Sequence, residues 1–275
     1  MKGRLAWIAV ALVAAPTLGQ AQGPGSGIPG FEDIVCSPVG DITAAAITSP
    51  FALALARSGE TTACVDLSRL ITRGEKSWSL TANDIAIGEL GTADVTALFN
   101  PDPFITFGAT TTNLGAGTTT YAFLFGTPIV PGFYTDATST TGVSITNGAS
   151  GTSTVDNSAI YPTFVSGYGT VGGVPTNLGV DLGTTPCTAT GVPFTVTETC
   201  AYGTATNTFA PTFYDDMEAL LTYDQTDMAS TAAWSGAVTL NTSTTPEPMS
   251  MALLATGLVG VGALRRRRRK SVEPV

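Results

Sequence analysis

The 275-residue chain contains no histidine. That absence removes Ser-His-Asp and Cys-His nucleophilic catalysis, His-ligated zinc, and the side chain best suited to proton transfer near neutral pH. Basic residues are almost as scarce where a folded domain would lie. Of 12 Lys and Arg, only Arg57, Arg69, Arg73 and Lys76 fall between residues 22 and 245, against 19 of the 21 acids, so this body carries a net charge of −15. A surface of that sign repels nucleic acid and anionic polymers. There is no Gly-x-Ser-x-Gly elbow and no Cys-x-x-Cys pair, which withholds support from hydrolase, zinc-ribbon and thioredoxin-like readings. The tetrad ending on Lys76 opens on Arg73, so it is no Ser-x-x-Lys motif. Gly167, Gly169 and Gly172 spell Gly-x-Gly-x-x-Gly, but Gly173 and Pro175 follow. A dinucleotide site needs that turn to open a helix, so the stretch reads as a loop.

Four cysteines are present: Cys36, Cys64, Cys187 and Cys200. An even count suits disulfides in an exported chain. Three pairings are open, and the nearest-neighbour one, Cys36–Cys64 with Cys187–Cys200, is expected. Closing a loop of about 15 residues contributes roughly 3 kcal/mol in the chain-entropy view.

Both ends carry addresses. Lys2 and Arg4 precede an apolar run over residues 5–15, and Gly19 and Ala21 follow at offsets suited to cleavage after residue 21. This is the order of a secretory signal peptide over residues 1–21, and a run that short before Pro16 does not span a bilayer. Residues 22–30, rich in Gly and Pro, read as a flexible leader. At the other end Pro246, Glu247 and Pro248 lead into an uncharged apolar stretch, 249–264, and then Arg265, Arg266, Arg267, Arg268, Arg269 and Lys270. As a helix the stretch would be about 24 Å long, marginal for a core of about 30 Å, with the cations snorkelling at its end. The cations fix the topology, keeping the tail's end cytoplasmic and the body outside.

Between the addresses lies a body over residues 31–245, whose pattern is weak from 34 to about 80 and alternates with period two most clearly from 94 to 130. Residues 93–100, 103–113 and 118–130 are rich in β-branched and aromatic side chains. Ile105 and Phe107 share one face, with Thr106 and Gly108 on the other; Tyr121, Phe123 and Phe125 share a face opposite Ala122 and Leu124. Further strands are expected at 142–146, 193–199, 217–223 and 234–240, and one at 51–56. The turn over 113–117 is Gly-rich. The fold class is therefore all-β: an antiparallel β-sandwich of two sheets, flanked by a signal peptide and one C-terminal transmembrane helix.

One acidic stretch remains, with Asp215, Asp216, Glu218, Asp224 and Asp227. The plain reading is a strand between two acidic turns. Asp215, Asp216, Asp224 and Asp227 are also candidate hard-oxygen ligands for Ca²⁺, the one cofactor the composition allows. Paired carboxylates as acid and base of a glycoside hydrolase are a third reading.

The three-part C-terminal order, Pro246-Glu247-Pro248, then a Gly-, Ala- and Leu-rich apolar stretch, then the Arg cluster, resembles a PEP-CTERM sorting signal. The resemblance covers residues 246–270. It implies a Gram-negative host with exopolysaccharide and biofilm systems. It also implies a membrane-embedded exosortase that recognises Pro246, Glu247 and Pro248 and removes the tail. The partners expected are thus exosortase, the inner membrane during sorting, and exopolysaccharide, with no nucleic acid. The expected product is a non-enzymatic protein at the cell surface or in the extracellular matrix; a Ca²⁺-assisted polysaccharide-binding or adhesin module is the alternative.

Overall fold

In the computed structural model the described residues are 48–171 and 174–242. The leader region, Cys36, Pro246 to Pro248, the apolar stretch and the basic cluster all lie outside them. Among the described residues no helix is long and apolar enough to cross a membrane.

Thirteen strands follow one another: β1 Phe51–Ser58, β2 Thr61–Asp66, β3 Ile71–Arg73, β4 Trp78–Ile87, β5 Gly91–Asn100, β6 Phe104–Asn113, β7 Thr119–Thr146, β8 Thr152–Asp156, β9 Val165–Val171, β10 Val174–Asn177, β11 Cys187–Thr190, β12 Thr197–Gln225 and β13 Thr231–Asn241. A single 3₁₀ turn, Ser68–Leu70, separates β2 from β3. All strand pairs are antiparallel.

Two long strands organise the rest. β7 has 28 residues and β12 has 29, against a usual five or six. They pair with each other through most of their length, with register breaks between Thr208 and Thr212 and between Tyr214 and Asp216. At the break β7 carries Pro128, Pro131 and Gly132, and β12 carries Pro211. Proline lacks a ladder donor and bulges bend a strand, so both strands turn here together. Below the bend, 120–126 of β7 pair with β1, and 216–221 of β12 pair with β9. Beyond it, 136–146 of β7 pair with β13, which continues into β6, β5, β4 and β3.

The expected pair of separate sheets is thus one continuous 13-stranded sheet, folded back on itself through β7 and β12. Side chains from the two halves meet in the fold. Phe125 of the first half stacks on Phe107 of the second, with centroids 5.3 Å apart and 12° between planes, and lies 6.5 Å from Phe99. Tyr223 of the first half packs at 4.9 Å on Trp234 of the second. The alternation read from sequence assigns these residues correctly. Ile105, Phe107, Tyr121, Phe123 and Phe125 belong to the central core, while Ala122 and Leu124 join a second cluster on the outer face with Phe51, Leu53, Leu55 and Leu220.

The outer face of the second half is hydroxyl-rich instead. Thr92, Thr112, Thr231, Thr146 and Thr197 are neighbours in register across five strands. Threonine suits this face because its branched Cβ favours the strand while its hydroxyl remains solvated.

Two stretches differ from the sequence expectation. Residues 165–171 and 174–177, read as a loop, are the antiparallel strands β9 and β10. The β9 glycines are packing residues: a Cβ on Gly169 would come within 2.7 Å of the Tyr214 ring, and one on Gly167 within 2.9 Å of Val238. The strand expected over 193–199 starts only at Thr197. The Asn147 side-chain Oδ1 accepts the N–H groups of Thr195 (3.2 Å) and Val196 (3.1 Å), and Phe194 has φ of 64°, so the chain turns before the strand begins.

Candidate functional site

The acidic stretch does not form one constellation. Asp216, Glu218 and Leu220 alternate onto the outer face of the first half-sheet, where Asp216 and Glu218 are buried at 1% and 2% exposure. Glu218 Oε2 has no hydrogen-bond partner among the described residues. Burial, with the Asp216 charge beside it, pushes the Glu218 carboxyl up to about 8. Asp224, at the far end of the same strand, accepts a 2.6 Å hydrogen bond from the Thr120 hydroxyl. Burial raises its carboxyl, as does Asp156, while the Thr120 bond lowers it.

Asp227 belongs to a turn. It adopts φ of 70°, and its carboxylate accepts from the N–H of Gly148 (3.0 Å), the N–H of Ser150 (3.0 Å) and the hydroxyl of Ser153 (2.9 Å). Desolvation pushes this carboxyl up, but those donors outweigh it and hold it below the ordinary carboxylate range. Asp215 is half-buried at the bend, alternating with Asp216. The four candidate ligands are therefore spread from the bend to the opposite end of β12. Among the described residues no three His, Cys, Asp or Glu side chains are grouped to hold a metal.

Of the four cysteines, Cys187 and Cys200 form a disulfide that ties β11 to β12, with Cα atoms 6.0 Å apart and a separation of 13 residues. Cys64 is also disulfide-bonded. Its expected partner, Cys36, lies outside the described residues. Of the glycine motif, Gly167 and Gly169 lie in strand β9, Val165–Val171.

The remaining feature is the place where the tail leaves the sheet. β13 is antiparallel to β7, and its last residue, Asn241, pairs with Asp136. The Asn241 side-chain amide donates to Asp136 Oδ1 at 2.6 Å, and the Leu240 N–H donates to Pro103 O at 3.0 Å. Increasing number in β13 means decreasing number in β7, so the chain leaves heading along β7 toward Phe133 and the bend. Phe133 and Phe213 face each other in register and pack edge to face with centroids 5.7 Å apart. Both point outward, at 65% and 38% exposure, and Val130 beside them is 60% exposed. This aromatic pair is not legible from strand alternation, which does not reveal a bend.

The opposite end of the fold is held differently. There the buried Asn113 side chain accepts from the Gly115 N–H and the Thr119 hydroxyl and donates to the carbonyls of Gly117 and Asp227. Buried amides satisfied this fully fix turns firmly.

Residues 244–269, which start three positions after the end of β13, match the family model of the PEP-CTERM protein-sorting motif. A search of curated proteins returned no match to the chain.

Proposed function

We propose that this chain, which carries the PEP-CTERM protein-sorting motif of exported proteins sorted by an exosortase, is a non-enzymatic component of the cell surface or extracellular matrix, released or attached after its tail is cut. The observation that carries this reading is the position of the motif. The address at 244–269 follows directly on a last strand that is fully paired on both edges, with β6 on one side and β7 on the other. Cutting there removes none of the strands among the described residues. The two prolines of Pro246-Glu247-Pro248 disfavour a helix, which suits a segment that a membrane protease must read.

The absence of histidine from the sequence and the scattering of Asp215, Asp216, Asp224 and Asp227 favour a structural role over a catalytic one. The threonine rows on the second half-sheet favour exopolysaccharide as the matrix partner. They offer a hydroxyl-rich surface, with Asp94 the acidic residue of the adjoining row, on a body otherwise acidic enough to repel anionic polymers.

Replacing Pro246, Glu247 and Pro248 together by alanine tests the sorting step. The expected result is retention of a tail-bearing species in the inner-membrane fraction. A mature C-terminus identical to that of the unaltered protein, made at the same rate, would sink the proposal.

A further inference from the structure

We propose that the bend of β7 and β12 is a lipid-contacting surface: the exposed Phe133–Phe213 pair, with Val130, Pro131 and Pro211, seats on the zwitterionic bilayer surface while the tail is still attached. The proposal rests on the reading of residues 244–269 as a membrane-directed sorting tail and goes beyond it, because it assigns a membrane role to the folded body.

Position is the first argument. Asn241 pairs with Asp136, three residues from Phe133 along β7, which is roughly 10 Å at the strand rise. Seven residues, 242–248, then separate the sheet from the apolar stretch, and fully extended they reach about 24 Å. The body is thus held close to the bilayer by the end that carries the aromatic pair. The opposite end also exposes apolar side chains, including Leu114 and Phe194. It lies at the start of β7 and the end of β12, another eight or so residues of strand away, about 27 Å further than the bend.

Chemistry is the second argument. Val130, Pro131, Phe133, Pro211 and Phe213 are all exposed and uncharged. Aromatic side chains favour the headgroup boundary, where one face is apolar and the other wet. No Lys or Arg lies on this patch; its charged neighbours are Asp136 and Asp215 in sequence and Asp102, which follows the Pro101 carbonyl that accepts the Val130 N–H. A cationic helix attracts anionic lipid; this surface does the reverse and suits a neutral headgroup. The inward neighbours Tyr134 and Tyr214 are buried, 6.4 Å apart. The bend is therefore backed by packed rings, and its outward pair is held rigidly rather than free to fold in.

The test uses the full chain inserted through its tail into phosphatidylcholine vesicles, with and without brominated acyl chains. A tryptophan is placed at the bend (Phe133→Trp) or, as a control, at the far end (Leu114→Trp), and its emission is taken as the difference from the parent. Flotation first establishes that the chain is membrane-bound. The expected result is that brominated lipid removes about half or more of the emission added at 133 and under about a tenth of that added at 114, as for a ring at the headgroup boundary. If the chain floats and position 133 is quenched no more than 114, the lipid surface is refuted while the tail reading stands. If position 133 is unquenched and the chain crosslinks as a dimer through the bend, the occupant is a second copy and the proposal is equally lost. If the chain does not float, the tail reading itself fails.

Discussion

Glu218→Gln is expected to stabilise the folded body increasingly as pH rises, by on the order of 4 kcal/mol at pH 8 relative to its effect at pH 4.5. Glu218 is 2% exposed, and one of its oxygens has no partner among the described residues. Burial first, and the neighbouring Asp216 second, raise the folded carboxyl from 4.5 to about 8. Below pH 4.5 both folded and unfolded forms hold the proton, so the group contributes no pH dependence. Between 4.5 and 8 the unfolded chain releases the proton while the folded chain keeps it. Stability therefore falls by roughly 1.4 kcal/mol for each pH unit crossed, and levels off above the folded value. Glutamine has the shape of the protonated acid and nothing to ionise, so that loss disappears. Urea unfolding of both proteins at pH 4.5, 6 and 8 gives the answer as a difference of differences, in which the contribution of the other carboxylates cancels. A gap between the two proteins that is constant across this range would mean that Glu218 ionises normally and that its site is wetter than the structure has it.

Phe125→Ala is expected to cost about 4 kcal/mol, more than the roughly 3 kcal/mol a disulfide closing a loop of this size contributes. Phe125 is fully buried and comes from the first half-sheet, while its ring partners, Phe107 and Phe99, come from the second. Truncation removes the stacking contact and opens a cavity that rigid strands on both sides cannot close. Next to it, Gly126 lies directly beneath the Phe51 ring, where a Cβ would collide, so the backbone has no room to follow. Chemical denaturation of the processed protein measures the loss. A change under about 1 kcal/mol would show that the two halves are not joined through this ring, since a buried aromatic normally costs far more.

Much of the fold was legible wherever one face is buried and the other solvated. In β5, β6 and β13 apolar and small polar side chains alternate cleanly, and the faces assigned to Ile105, Phe107, Tyr121 and Phe125 are those found. Two kinds of stretch were not legible. The 142–146 and 118–130 segments read as separate strands, with Pro131 and Gly132 lying between them; in the structure these residues sit at a bend and the strand continues. The β9–β10 pair looked like a glycine loop because its small residues are there to admit Tyr214 and Val238, contacts that local pattern cannot show. At the candidate site, the sorting motif was legible from the order of its three parts along the chain. The acidic stretch was not, since adjacent carboxylates on a strand point to opposite faces and only register shows where each one ends up. The aromatic pair at the bend depends on the pairing of Phe133 with Phe213, residues 80 positions apart.

Intact mass of the protein recovered from its own host, separated into cytoplasm, inner membrane, cell surface and medium, tests most directly whether the tail is a processed address. The predicted result is a species outside the inner membrane that begins near residue 22, ends near Pro246 to Pro248 and lacks Arg265 to Lys270. A protein found only with its basic cluster intact, whether in the membrane or in the cytoplasm, would contradict it.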